Sequence, residues 1–229
     1  RKGQRCFDCG QSFHGVVALA LGWAGWKMYL GRPERDNTRC SSMQALGSAL
    51  IASRPKEALL VLETNLSLRR RGSNDEENIL CAQGNLAGCL TELKRYDEAL
   101  VLEREMFERR VSKFGVSDEN TIIAGTNLSI TLLKLRRYEE ACIFLRDRLL
   151  PVARRSLGID HNHTLNINLY MATALQSMPE RTRDDLLEAE TIMNDVIKRR
   201  RRIFGSAHPA TLQDQKLLPI IRARLSRLA

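Results

Sequence analysis

The chain has 229 residues, of which 43% are hydrophobic, 28% charged and only 5% aromatic. That much aliphatic surface offsets the entropy of ordering the chain, so disorder is excluded, and the length fits one or two ordinary domains or one elongated repeat array. Lys and Arg number 36 against 27 Asp and Glu, a net charge of +9, which favours acidic peptides, nucleic acid or anionic lipid without choosing among them.

The N-terminal stretch RCFDCGQSFHG places Cys6 and Cys9 with two residues between them, and His14 shortly after. A structural zinc ion takes four Cys or His ligands, and these are three at most. Gly10 stands where a c-type haem site needs histidine, and no strand–helix pattern of a redox CxxC follows. An isolated metal site, part of a larger one, and two unrelated cysteines all remain open. Val16–Leu30 follows as an apolar run interrupted by Lys27. As a helix it reaches ~22 Å against a ~30 Å hydrocarbon core, so a buried or packing helix is expected and a membrane span is not. Cys40, Cys81, Cys89 and Cys142 each lie singly in apolar helical patterns, as reduced core residues do. With no secretory signal and no disulfide-like spacing, the chain is expected to be intracellular and cytoplasmic.

A repeat dominates the rest. RGSNDEEN (71–78), FGVSDENT (114–121), LGIDHNHT (157–164) and FGSAHPAT (204–211) align on glycines 43, 43 and 47 residues apart. LGRPERDNT (30–38) is a weaker earlier copy. KRYDEAL (94–100) recurs as RRYEEAC (136–142), and Asn-Leu recurs at 85–86, 127–128 and 168–169. Periods of this length signal stacked supersecondary units.

Each period reads as two helices. Ile79, Ala82, Leu86, Leu90 and Leu93 form one apolar face. After the Lys94–Asp97 interruption, Ala99, Leu102, Met106 and Val111 form a second. Gly115 suits a left-handed C-cap, and Ser117 and Asp118 offer N-cap oxygens. One pair cannot bury its own apolar face, so neighbours must share a core. The predicted layout is an N-terminal segment over 1–35, then an array over 36–229. Its helix pairs cover 36–72, 73–115, 116–158 and 159–205, with a capping helix over 206–229. A kink is expected at Pro151, a break at Pro179 in a lengthened turn, and a bend or stop at Pro219.

Asn85-Leu-Ala and Asn127-Leu-Ser, Tyr96 and Ala99 with their copies Tyr138 and Ala141, and the G-x-x-H-P-x-T of 205–211 resemble tetratricopeptide repeats, specifically the 42-residue kinesin light chain-like subgroup. The likeness covers roughly residues 40–229, although that family's first-helix Trp is absent and Pro55 replaces the repeat Tyr in the first pair. It implies an all-α fold: a right-handed tetratricopeptide-type helical-hairpin solenoid with about four helix pairs and a C-terminal capping helix. It also implies a protein-binding scaffold whose first helices line a concave groove. Asn85, Asn127 and Asn168, taken as equivalent positions, resemble an asparagine ladder for an extended peptide, since an amide both donates and accepts; a helix-packing role is the alternative. Cys81, Ile123, Ile130, Leu133, Ile167 and Met171 would give an apolar groove with Lys134 as its one clear cation, suiting a partly hydrophobic peptide.

CFDCGQSFHGVVALALGWAGWK, together with WAGWKMYLGRPE (23–34), resembles the last cysteine pair and tail of a RING-variant (RING-CH type) zinc finger. This resemblance implies that Cys6 and Cys9 are the final two of eight ligands for two zinc ions, the other six lying upstream. The intact protein would then be a ubiquitin ligase, with the finger recruiting a ubiquitin-conjugating enzyme and the repeats holding substrate. The chain itself is expected to be no enzyme and to need no cofactor, with zinc belonging to the intact protein.

Basic runs recur at second-helix ends: Arg69–Arg71, Arg109-Arg110, Arg154-Arg155 and Lys198–Arg202. Cations there are favoured by the helix macrodipole, or they form a basic edge that attracts acidic partners. Nucleic acid is the weaker partner because stacking aromatics are few. His161 and His163 read as a solvated turn rather than a metal site. No P-loop, H-E-x-x-H or G-x-S-x-G motif occurs.

Overall fold

The computed structural model describes residues 15–34, 36–72 and 75–227; Cys6, Cys9 and His14 lie outside them. The fold is all-α, built of tetratricopeptide-type helical hairpins. The helices are α1 (Gly15–Tyr29), α2 (Asn37–Leu50), α3 (Pro55–Gly72), α4 (Glu76–Glu92), α5 (Tyr96–Phe114), α6 (Glu119–Lys134), α7 (Tyr138–Ile143), α8 (Leu150–Ser156), α9 (Asn162–Ser177), α10 (Arg183–Phe204), α11 (Pro209–Gln215) and α12 (Leu217–Leu225). Two compact units divide inside α5, at Met106/Phe107.

In the first unit, Leu46, Leu62, Leu66, Leu86 and Leu90 form the core, and Ala99 packs there without solvent exposure. Gly47 lets α2 and α3 approach: a Cβ on it would meet Leu62 at 2.6 Å. Helix α1 packs on α2 through Gly22, Leu19 and Trp26. Its other faces are bare, with Val16 83% and Met28 73% exposed. It is therefore a packing helix and not a buried one, because its apolar residues run around the whole circumference and α2 covers only one side. Among the described residues, no helix is long and apolar enough to cross a membrane.

The second unit is centred on Phe107, Ile122, Leu145, Leu149, Leu165 and Leu175, all at most 2% exposed. Phe107 and Phe144 meet edge to face at 5.3 Å. Between α7 and α8 the chain takes a π-helical turn, Phe144–Leu149, in which the Leu150 N–H donates to the Leu145 carbonyl. Pro151 follows directly. A widened turn is one way a helix accommodates a residue with no N–H to give, and here it takes the place of the bare kink expected from the sequence. Pro179 does lie beyond the end of α9, and Met178 before it is extended (ψ 137°), as the residue preceding a proline prefers. Helix α10 restarts on a capping box between Thr182 and Asp185. It ends at Gly205, whose φ of +89° lies in the region where glycine is at ease. The segment 206–229 is not one capping helix. It breaks at Lys216 into α11 and α12, and Pro219 sits in the first turn of α12, where its missing N–H costs no helical hydrogen bond.

Candidate functional site: the α6–α9 face

Helix α6 starts on Asp118, whose carboxylate accepts from the Thr121 N–H at 2.9 Å. Helix α9 starts on His161, whose Nδ1 accepts from the His163 N–H at 3.3 Å. These histidines therefore begin a helix rather than occupy a solvated turn, and imidazole stands where the preceding repeat has a carboxylate. Their rings lie 5.3 Å apart, and their Nε2 atoms are 3.9 and 3.7 Å from Glu119 Oε1. Burial, reinforced by His161, holds the His163 pKa below its ordinary value, with Glu119 opposing. Among the described residues no group of side chains is arranged to hold a metal ion.

The caps set the register. Asp118 to His161 is 43 residues, so Asn127 corresponds to Tyr170 and Gly125 to Asn168. Burial follows that register. Asn127 is exposed, Tyr170 half-buried and Asn168 only 4% exposed. A Cβ on Gly125 would strike Leu149 at 2.8 Å, so this position faces the second helix of its pair. Asn168 spends its amide on its own helix, donating to the Thr164 carbonyl at 3.2 Å. The three asparagines are thus not equivalent. A two-residue offset turns a side chain by about 200° around a helix, which makes Asn168 a packing residue. Met171 (4% exposed) and Ile167 (0%) are core residues for the same reason.

The accessible stripe on α6 is Ile123, Asn127, Ile130 and Lys134, at four-, three- and four-residue steps along one helix face. On α9 the matching half-buried stripe is Asn166, Tyr170, Thr173 and Ser177, and α6 packs beside α9. Asn166 was not singled out from the sequence, although the glycine spacing of 115 to 158 carries the right register. The Asn-Leu dipeptide, 41 residues on from 127 to 168, was a false anchor. In the first unit, Asn85 is half-buried on α4, one turn beyond Cys81, whose thiol lies 3.7 Å from Glu77 Oε1.

Behind the stripe lies an ion pair. Arg200 on α10 meets Asp214 on α11 at 3.0 Å, with side chains 4% and 1% exposed, and it also donates to Asn166 Oδ1. Burial pushes the Asp214 carboxyl up, with Arg200 pulling against it, and burial also raises the Tyr170 phenol. Arg110 repeats the theme on α5, 3.4 Å from Asp118 and stacked 5.2 Å over Phe114. Arg69 on α3 is 2% exposed. Three of the four basic runs therefore turn one arginine inward, while Arg154 and Arg155 both stay exposed, so a wholly solvated helix end describes the 154–155 run and not the others.

Helix pairs whose caps recur every 43 residues, with each first helix offering a half-exposed polar stripe, define a helical-hairpin repeat protein. The sequence model described as Tetratricopeptide repeat matches residues 82–120 and 180–210. Among solved structures the chain is similar to a Podosopora anserina protein described by its kinesin light chain nearly identical TPR-like repeats, with 17% identity, 81% of this chain and 87% of that one covered, and a TM-score of 0.67. It is also similar to BtubC (BKLC) from P. vanneervenii, with 13% identity, coverage of 92% and 85%, and a TM-score of 0.72. At these identities the likeness is one of fold. No curated protein matches the chain.

Proposed function

We propose that this chain is a protein-interaction scaffold and that the α6–α9 face holds an extended peptide of a partner protein. The supporting observation is the stripe Ile123–Asn127–Ile130–Lys134. The Asn127 amide is exposed and has no hydrogen-bond partner among the described residues, and isoleucines flank it at one-turn spacing. An amide of that kind pairs with a peptide's own N–H and C=O. The isoleucines select apolar side chains, and Lys134 favours a carboxylate nearby. Asn166, Tyr170 and Thr173 complete the face on α9. In the first unit the same register puts Gly84 in the place of Asn127, with Asn85 beside it as a half-buried amide.

A random decapeptide library displayed on phage and panned on the chain tests this reading. Selected peptides should bind Asn127→Ala and Tyr170→Ala at least fivefold more weakly, measured by fluorescence polarisation. Asn168→Ala should instead lower the unfolding midpoint. Selected peptides that bind the Asn127/Tyr170 double variant as well as the parent would overturn the assignment.

A further inference from the structure

The five cations that close α10 are not equivalent. Arg199 pairs with Asp195 at 2.7 Å and Asp160 at 2.8 Å, Arg200 with Asp214 at 3.0 Å, and Arg202 with Asp160. Lys198 and Arg201 have no ion pair among the described residues. These two line a cleft of about 500 Å³ between α10 and the α11–α12 segment.

Asn194, Ile197, Lys198 and Arg201 follow each other at steps of three, one and three residues, so they share one face of α10. Ile197, Leu218 and Pro219 supply an apolar wall, and Arg222 adds a third cation. Arg222 is tied through Nε to Glu190 at 2.6 Å, which leaves its other guanidinium donors available. Once its amide faces the guanidinium, Gln215 accepts from Arg201 Nε at 3.3 Å and Nη2 at 3.2 Å. That contact orients the fork without neutralising it. Among the described residues no carboxylate lines the cleft.

We propose that this cleft binds an acidic segment of a partner protein, with two carboxylates on Lys198 and Arg201 and an apolar side chain against Ile197 and Leu218. Charge complementarity carries the choice. Uncompensated cations beside an apolar wall attract anions strongly, and the arginine fork matches a carboxylate. The apolar wall speaks for a peptide rather than a bare phosphate. Among the described residues no aromatic side chain lines the cleft, which speaks against single-stranded RNA, since its binders hold it by base stacking. The cleft shares no residue with the α6–α9 face, so the two readings stand or fall separately.

The probe is a fluorescein-labelled heptapeptide carrying four glutamates around a central leucine, titrated onto the full chain at low salt. Lys198→Glu with Arg201→Glu should weaken it at least tenfold. Arg154→Glu with Arg155→Glu makes the same charge change at two exposed residues elsewhere and should leave affinity within twofold. Leu218→Ser should cost about threefold. Should the charge reversal unfold the chain, Lys198→Gln with Arg201→Gln gives the same reading with a smaller drop. Equal losses from the 154/155 and 198/201 pairs would reduce the effect to net charge and overturn the proposal. Inorganic polyphosphate or poly(U) binding this cleft more tightly than the peptide would overturn it equally.

Discussion

Helices α3 and α10 both end in a basic run with one arginine turned inward, and they satisfy it differently. Arg69 in the first unit finds neutral oxygens, Asn65 Oδ1 at 3.0 Å and Ser41 Oγ at 3.3 Å, and burial lowers its pKa. Arg200 in the second unit finds the buried carboxylate of Asp214. The same sequence signal, a run of arginines at a helix end, thus covers two electrostatic solutions. Each solution depends on what a later or earlier helix brings to that place. Breaking a buried ion pair leaves a lone charge, whereas removing a hydrogen-bonded cation leaves only an unsatisfied amide.

That contrast should show first at Asp214. Asp214→Ala strands Arg200 and should destabilise the second unit by ~3–5 kcal/mol in urea unfolding; Arg200→Met with Asp214→Leu should recover most of that loss. Arg69→Met in the first unit should cost only ~1–2 kcal/mol, the price of an orphaned Asn65 oxygen. If Arg69→Met proves the costlier change, neutral partners hold a buried arginine as tightly as a carboxylate does, and the contrast fails.

A smaller effect separates the helix starts. Asp118 caps α6 with a carboxylate, while His161 and His163 begin α9. The folded-state pKa of His163 is depressed, so the unfolded chain takes up that proton first. Its contribution is intact above the unfolded value of about 6.5 and is lost as pH falls through the lower folded value. The thermal midpoint should therefore drop between pH 7 and 5 by more in the parent than in His163→Gln. Equal drops would place the acid sensitivity elsewhere.

The smallest effect tests a likeness between the units. Lys94 and Arg136 follow α4 and α6 with φ of +61° and +60°, left-handed values at which a side chain costs about 1 kcal/mol or slightly more. The Arg95 N–H reaches back to the Leu90 carbonyl and the Arg137 N–H to that of Leu132, both at 2.9 Å. Lys94→Gly and Arg136→Gly should each raise stability by ~1 kcal/mol. A gain at only one would mean the two turns differ in strain despite their shared geometry.

The all-α class, the repeat with its period of about 43, the helix faces and the caps at Gly115 and Asp118 are readable along the chain. All of these rest on local rules: apolar periodicity, glycine tolerance of positive φ, and short polar side chains accepting from free N–H groups. Asn127, Ile130 and Lys134, expected from the sequence as groove positions, lie on one accessible stripe because a single helix fixes their spacing. Asn168 and Met171 were misplaced because a two-residue error in register swaps the open and packed faces of a helix. Only their burial in the packed second unit distinguishes them. Which arginine turns inward in the runs 69–71, 109–110 and 198–202 depends on the packing of helices around it. That packing also decided that Asp214 meets Arg200, and that Lys198 and Arg201 remain uncompensated in a cleft. Charge neutralisation joins residues far apart in the chain, and no spacing rule along the chain encodes which carboxylate arrives.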